Sequence, residues 1–490
     1  MDGMRILYVD IDSLRPDHLG CYGYPRNTSP RIDQVARSGM RFDNYYVTDA
    51  PCLPSRTALF TGRYGIHTGV INHGGLEADI RPQGAARGFA NGGPYRTWVT
   101  ELRRRGYYTC MISPFPTRHA AWQVVDGFRE WHDTGRNGLD LAHEVVPVAE
   151  RWLAEHAAED NWLLHVNLWD PHTPYRTPLS YGNPFADAPA PAWLTEETIV
   201  QQRASYGPHS AREVSGLGPA DPARWPRMPA EIASLSDFKQ WVDGYDVGVR
   251  YADDHIARIL DILAGRGVLD ETLVIISADH GENLGELNVY GDHQTADQCT
   301  SRVPLIMAGP GVPAGRVDGG LHYQIDLGPT LTEWVGGRPA PRWDGQSFLS
   351  AITGGGTTGR PFLVLSQGAW SCQRSVRFGE WLLIRTYHDG LKDFPDLMLF
   401  DLGRDPHETR NLAAERPDVV GEGLRLLDQW YAEMMRTGDH PTDPMWHVIA
   451  EGGPHHTVGQ LERYLGRLRE TGRAEAADRL EARHAPLRRG

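Results

Sequence analysis

Short apolar runs that end in polar clusters alternate with longer amphipathic stretches over most of this chain. Arg5–Asp12 is apolar through Val9 and then carries two acids, and Tyr107–Ile112, Trp162–Trp169 and Leu273–Ser277 are further apolar runs. Leu273–Ser277, β-branched and without a polar face, predicts a strand from the middle of a parallel sheet. Arg41–Val47 and the stretch from Arg302 read as further strands. Between them Ser29–Gly39, Thr97–Gly106, Asp140–Ala157 and Asp237–Arg266 show helical spacing, with glycine stops after the first and last. The alternation predicts an α/β fold with a large, mostly parallel sheet sandwiched by helices. From about Pro361 the period changes: Phe362–Ser366, Ser375–Phe378, Glu380–Thr386 and Leu397–Asp401 predict a smaller antiparallel sheet, on which a helix from Val419 to Thr437 packs. Pro178–Trp225 reads as an elaborated loop, and Gln460–Arg483 as one charged helix with a solvated face.

Length turns that change of period into a domain boundary. A chain of 490 residues exceeds one ordinary core, so residues 1–360 are expected to form the α/β domain and 361–490 an α+β subdomain with a helical tail. The net charge of −14, from 49 basic and 63 acidic residues, argues against nucleic-acid or membrane-surface partners. Cysteines 21, 52, 110, 299 and 372 form no CxxC pair, which predicts free thiols in a reducing compartment. The N-terminus runs straight into a strand, without a signal-peptide pattern or an 18-residue apolar run, and the expected location is cytoplasmic.

Chemistry concentrates at the strand ends. In Pro51–Gly62, Pro54 suits the first turn of a helix that continues through Ser55–Phe60, which places Cys52 at a helix N-terminus, where free N–H groups favour an anion. Arg56, one turn on, can point at the same anion. For this fragment alone, a buried cysteine at a helix start and a sulfur-derived nucleophile are equally open readings. Asp10 and Asp12 share one face of the first strand. His172 lies in a Pro-bounded loop after Trp162–Trp169, and Asp279–His280 follow Leu273–Ser277. A carboxylate and an imidazole side by side at a strand end are sound metal ligands.

Cys52-Leu-Pro54-Ser55-Arg56, followed by Leu59-Phe60-Thr61-Gly62, resembles the signature of the formylglycine-dependent (type I) sulfatases, and Asp170-Pro171-His172-Thr-Pro174-Tyr175 and Asp279-His280-Gly-Glu282 resemble further motifs of that family. The resemblance implies an alkaline-phosphatase-like fold and hydrolysis of a sulfate ester. It implies that Cys52 is oxidised to Cα-formylglycine by a formylglycine-generating enzyme and acts as a hydrated aldehyde. It also implies one divalent ion on Asp12, Asp279, His280 and residue 52. Such a mostly oxygen site favours Ca²⁺, with Mg²⁺ or Mn²⁺ also admitted. Where many members carry a second aspartate this chain has Ser13, so Asp10 is a candidate further ligand. Where the family carries Lys-x-His, Ser113-Pro-Phe115 supplies no charge. Arg118 is then expected to bind the sulfate and His119 to act as the base. His172 or His293 is the candidate acid for the leaving group, Arg56 a cationic clamp, and Asn72 and His73 are expected to contact substrate. The substrate class left open is a carbohydrate or small-molecule sulfate. A phosphonate monoester hydrolase or phosphodiesterase on the same scaffold is the nearest alternative, and a non-catalytic anion-binding protein the other.

Overall fold

The computed structural model describes residues 3–84, 93–218, 220–354 and 359–485. The strands in chain order are β1 (Arg5–Ile11), β2 (Met40–Tyr46), β3 (Asp49–Ala50), β4 (Tyr108–Ile112), β5 (Glu130–His132), β6 (Trp162–Leu168), β7 (Thr272–Ser277), β8 (Asn283–Leu284), β9 (Tyr290–Asp292), β10 (Leu305–Ala308), β11 (Arg316–Tyr323), β12 (Phe362–Gln367), β13 (Cys372–Phe378), β14 (Trp381–His388) and β15 (Leu397–Asp401). Eight of them form one sheet in the order β11-β2-β10-β7-β1-β6-β4-β5. β1 runs parallel to β6 and β7, and β4 parallel to β5 and β6, while β10 is antiparallel to both its neighbours. The apolar runs expected to be central are so: every residue of β1, β6 and β7 is buried. β10 begins later than the Arg302 expected from sequence, just past Pro304, which has no N–H to give a ladder.

The expected helices form nearly where their patterns put them, at Pro30–Ser38, Trp98–Arg104, Ala142–His156 and Leu235–Gly265. Their caps explain the bounds: the side chains of Thr97 and Ser234 accept from the N–H groups of Thr100 and Asp237. Among the described residues no helix is long and apolar enough to cross a membrane.

The smaller sheet has the order β15-β14-β13-β12-β3. β12 to β15 are antiparallel, as expected of short strands broken by polar turns, and the helix Pro417–Thr437 lays Leu427, Trp430 and Met434 on them. Its fifth strand comes from the other end of the chain: β3 pairs parallel with β12, Asp49 opposite Ser366 and Ala50 opposite Gln367. Ala58 and Tyr64 join the same apolar cluster. The strands therefore divide near residue 360 except for β3, which ties the signature segment to the second sheet.

Two stretches differ from their sequence reading. Pro178–Trp225 contains a helix, Glu196–Ala204, started by the Thr195 side chain. The tail is two helices, Leu461–Glu470 and Ala474–His484, divided where Gly472 takes a φ of +76°. Its apolar stripe, Leu465, Leu468, Ala477 and Leu480, is covered by Tyr206 and Leu391, and Arg473 pairs with the buried Glu213. The many charges of this stretch masked an inward face.

Candidate active site

The helix Cys52–Thr61 is buried along its whole length, wedged behind the carboxyl ends of β1 and β7. It begins at Cys52, two residues before Pro54, so the cysteine is the first helical residue. Gly62 closes it in the left-handed conformation, its N–H donating to Ala58 O at 2.8 Å. Ser55 locks the helix start to the metal-type loop: its hydroxyl bonds the Asp279 carbonyl and, at 3.0 Å, the Gln324 side chain.

Arg56 does not point at the pocket. One turn into a buried helix, its guanidinium meets the carboxylates at the strand ends. Nη1 donates to Asp10 Oδ2, and Nη2 donates to Asp12 Oδ2 at 3.0 Å and stands 3.1 Å from Asp279 Oδ2. The ring of Phe115 lies 4.8 Å beneath the guanidinium. The clamp role expected from sequence is corrected on this geometry: the arginine neutralises protein carboxylates.

Asp12, Cys52, Asp279 and His280 bring one ligand atom each within 4.8 Å of one another, all buried. Asp10 stands apart from this set, because Arg56 and His165 Nε2 (3.3 Å) hold it. At Ser13, where many members of the resembled family carry aspartate, the backbone turns through a φ of 61°. Its N–H lies 3.3 Å from Asp279 Oδ1. His280 N–H donates to the same oxygen at 3.0 Å, which leaves Asp279 Oδ2 buried with no hydrogen bond and only its ion-pair contact to Arg56 Nη2. When ionised, Asp10, Asp12 and Asp279 carry three negative charges against the one positive charge of Arg56. The excess equals the charge of one divalent ion, so donor chemistry, the orphaned oxygen and charge all fit such an ion. Without the ion, burial pushes the Asp279 carboxyl up to about 7. Burial acts on Asp12 in the same sense, but the facing His172 and Arg56 outweigh it and hold that carboxyl well below the usual range.

Cys52 is 2% exposed. Burial, and then Asp12 and Asp279, push its thiol well up. Its Sγ lies 3.0 Å from His280 Nε2. His280 Nδ1 donates to Gly281 O at 2.8 Å, so in the neutral ring Nε2 is a lone pair and the thiol donates to it.

A cluster of imidazoles surrounds the Cys52 end of this set. His280 and His293 have ring centroids 4.1 Å apart, and His172 and His293 5.6 Å. His73 lies 5.0 Å from His119 and 5.1 Å from His456. Burial and then neighbouring positive groups lower His119 to about 3; burial lowers His172 and His456 to about 4, and His73 and His293 well below the ordinary range. Those five rings, His73, His119, His172, His293 and His456, are therefore neutral at physiological pH. His172 donates from Nδ1 to Thr173 O, leaving Nε2 as a lone pair 4.0 Å from Asp12 Oδ1.

Arg118 and His119 sit on a helical turn, Phe115–His119, started by Ser113, whose hydroxyl accepts from Phe115 N–H. Pro114 and Pro116 fix the backbone of this turn. Arg118 is exposed, donates to Asn137 O at 3.0 Å and covers the ring of Trp169 at 5.1 Å. His119 packs on Phe115 at 4.7 Å, and its Nε2 is buried without a partner. Asn72 turns away from the pocket: its side-chain oxygen accepts from the N–H groups of His73 (3.0 Å) and His455 (3.2 Å), and its amide donates to Leu76 O (3.1 Å). It shapes the loop that carries His73.

Three wall residues were not picked out from sequence. His456 accepts or donates at 2.9 Å to His73 and stacks on Trp370 at 4.3 Å. Arg176, two residues past the Pro174 of the His172 motif, has Nε and Nη2 buried without partners, and burial lowers its pKa. The adjacent His455–His456 pair was the available signal in the tail.

A family model described as Sulfatase matches residues 5–337. The chain belongs to the sulfatase family, whose alkaline-phosphatase-like architecture it shares, and it is a sulfuric ester hydrolase. It is 24% identical over 437 residues to a choline-sulfatase of Rhizobium meliloti, covering 79% of this chain and 77% of that protein. A solved structure described as bound to its substrate D-glucosamine-2-N,6-O-disulfate superposes with a TM-score of 0.69 at 19% identity, covering 89% of this chain and 99% of that one. A phosphonate monoester hydrolase from Silicibacter pomeroyi superposes at 0.67 with 21% identity, covering 89% and 96%.

Proposed function

We propose that this sulfatase works through Cα-formylglycine made from Cys52 by a formylglycine-generating enzyme, with one divalent ion, Ca²⁺ first, on Asp12, Asp279, His280 and residue 52. The observation that carries the reading is Cys52 at a helix start inside the buried Asp12–Asp279–His280 cluster. When present, the hydrated aldehyde supplies an oxygen nucleophile and the ion positive charge. The remaining roles belong to side chains in place. Arg56 neutralises Asp10 and holds the carboxylates in position. His119 has a buried, unpartnered Nε2 and is neutral, so it would be the base for the hydrated group at position 52. His172 or His293 would protonate the leaving group, and Arg118 and Arg176 would supply cations where Ser113 supplies none. His73, His456 and Trp370 offer flat rings and neutral N–H groups, which suit a carbohydrate or aryl sulfate. The five free cysteines suit a reducing compartment such as the cytoplasm. The Asp279–His280 pair also favours a second reading, in which phosphonate monoesters are turned over.

The test is peptide mapping of residue 52 with a hydrazide or aminooxy aldehyde probe, alongside turnover of sulfated sugars, aryl sulfates and phosphonate esters. The reading expects an aldehyde at residue 52, sulfate-ester turnover, and no turnover by Cys52→Ala that still folds. Full turnover by a chain whose residue 52 remains a thiol would overturn it.

A further inference from the structure

The pocket contains a second set of ligand atoms with a different chemistry. Cys52 Sγ and one ring nitrogen each from His172 and His293 also lie within 4.8 Å of one another. The two sets share only the sulfur. The first adds two carboxylates and one imidazole to it, the donors of a hard ion, whereas the second adds two imidazoles. Sulfur with imidazole nitrogen selects Zn²⁺ over Ca²⁺ or Mg²⁺.

Each of the two rings keeps one nitrogen free to bind. His172 uses Nδ1 on the Thr173 carbonyl, an arrangement that fixes the tautomer and leaves Nε2 as a lone pair. His293 is 4% exposed, and its Nδ1 has no hydrogen-bond partner. A buried, unpartnered imidazole nitrogen is costly unless something fills it. His280 Nε2, 3.0 Å from Cys52 Sγ, stands ready as a fourth ligand, with water the alternative. Zn–S near 2.3 Å and Zn–N near 2.0 Å put tetrahedral ligands about 3.5 Å apart, so the rings need draw in by only about 1 Å.

We propose that the chain, while Cys52 is still a thiol, holds a zinc-class ion on Cys52, His172 and His293. Binding exchanges the thiol proton for a sulfur–metal bond, and the proton leaves to solvent, one per ion. No redox step is involved. Conversion of Cys52 removes the one soft ligand and with it this site, while the carboxylates that suit a hard ion remain. The site requires only the thiol, so it stands whether or not the thiol is later converted.

The experiment uses the full chain made in a host without formylglycine-generating activity, with the Cys52 thiol verified by peptide mapping and metal stripped by chelator. Zn²⁺ is titrated against a chromophoric chelator, and Co²⁺ serves as the spectroscopic probe. Expected are one Zn²⁺ per chain, one proton released, and a thiolate-to-Co²⁺ charge-transfer band in the near ultraviolet. Cys52→Ser, His172→Gln and His293→Gln should each weaken Zn²⁺ at least tenfold, and Asp279→Asn should retain it. Binding weaker than about 10 µM overturns the proposal, as does a cobalt complex without the thiolate band. So does a pattern in which Asp279→Asn loses zinc while both histidine variants keep it. Circular dichroism checks each variant, and if Cys52→Ser does not fold, the cobalt band of the native chain decides.

Discussion

Replacing Arg56 by methionine removes one charge and keeps roughly the same volume. Arg56 is about 1% exposed and Asp10 and Asp12 are fully buried, so solvent cannot take over the lost interaction. Two hydrogen bonds to charged partners are lost, each worth about 1.5–3 kcal/mol, and breaking a buried pair from one side costs about 3–5 kcal/mol. A loss of about 4 kcal/mol is therefore expected for metal-free protein. The three carboxylates left behind attract a divalent ion more strongly, so saturating Ca²⁺ should return a substantial part of that loss. Arg56→Lys should recover less than half of it, because an ammonium cannot bridge Asp10, Asp12 and Asp279 as a planar fork does. The assay is denaturant unfolding followed by tryptophan fluorescence, in chelator and in excess Ca²⁺. Adding Asp10→Asn to Arg56→Met should restore part of the stability, since Asp10 is then neutral while Asp12 and Asp279 still lack their counter-charge, and the cycle isolates the Arg56–Asp10 coupling. If Arg56→Met in chelator unfolds within 1 kcal/mol of the native chain, the account of this arginine as the internal counter-charge is wrong.

Three further outcomes follow from the same geometry. Asp279→Ala should lose the divalent ion and turnover together, and stoichiometric metal by elemental analysis of the variant would move the ion site elsewhere. Arg118→Ala should lower kcat/KM by orders of magnitude, and His119→Ala should give a burst followed by stalled turnover; near-normal steady-state rates in both would refute their roles. Lys392 is buried, donates to Pro208 O, and burial lowers its pKa to about 7 from 10.5. Between those values the unfolded chain binds the extra proton, so this group's contribution makes stability rise with pH from 7 towards 10.5 and levels off below 7. At about 1.4 kcal/mol per unit the span reaches up to about 5 kcal/mol. The stability of the native chain minus that of Lys392→Met, measured by unfolding across that window, should rise with pH at this slope; a flat difference contradicts the burial argument.

The strand ends were legible because buried parallel strands are short, uniformly apolar and closed by polar residues. β1, β6 and β7 therefore delivered Asp12, His172 and Asp279 in the order the apolar runs gave. What sequence could not show is direction and long-range company. Arg56 had the right position to face a pocket, but only the packed helix reveals that the nearest negative charge is Asp10. Asn72 and His73 are adjacent, yet one turns into the loop and the other joins the histidines. His456 reaches His73 from 383 positions away, and no local period carries that information. The charged tail hid an apolar stripe because its glutamates and arginines dominate the count. β3 is two residues long and has no pattern of its own.

That two-residue strand sets a schedule for the nascent chain. Ala50 pairs with Gln367, 317 positions later, so the segment leading into Cys52 has no sheet to join until Gln367 has left the ribosome. At about 5–20 residues per second the interval is roughly 15–60 s. In the finished molecule Cys52 is 2% exposed, so an enzyme that needed its backbone extended would have to act within that interval. The antiparallel sheet thus acts as a late latch on the signature helix, and the order of synthesis itself leaves the cysteine reachable before the latch shuts.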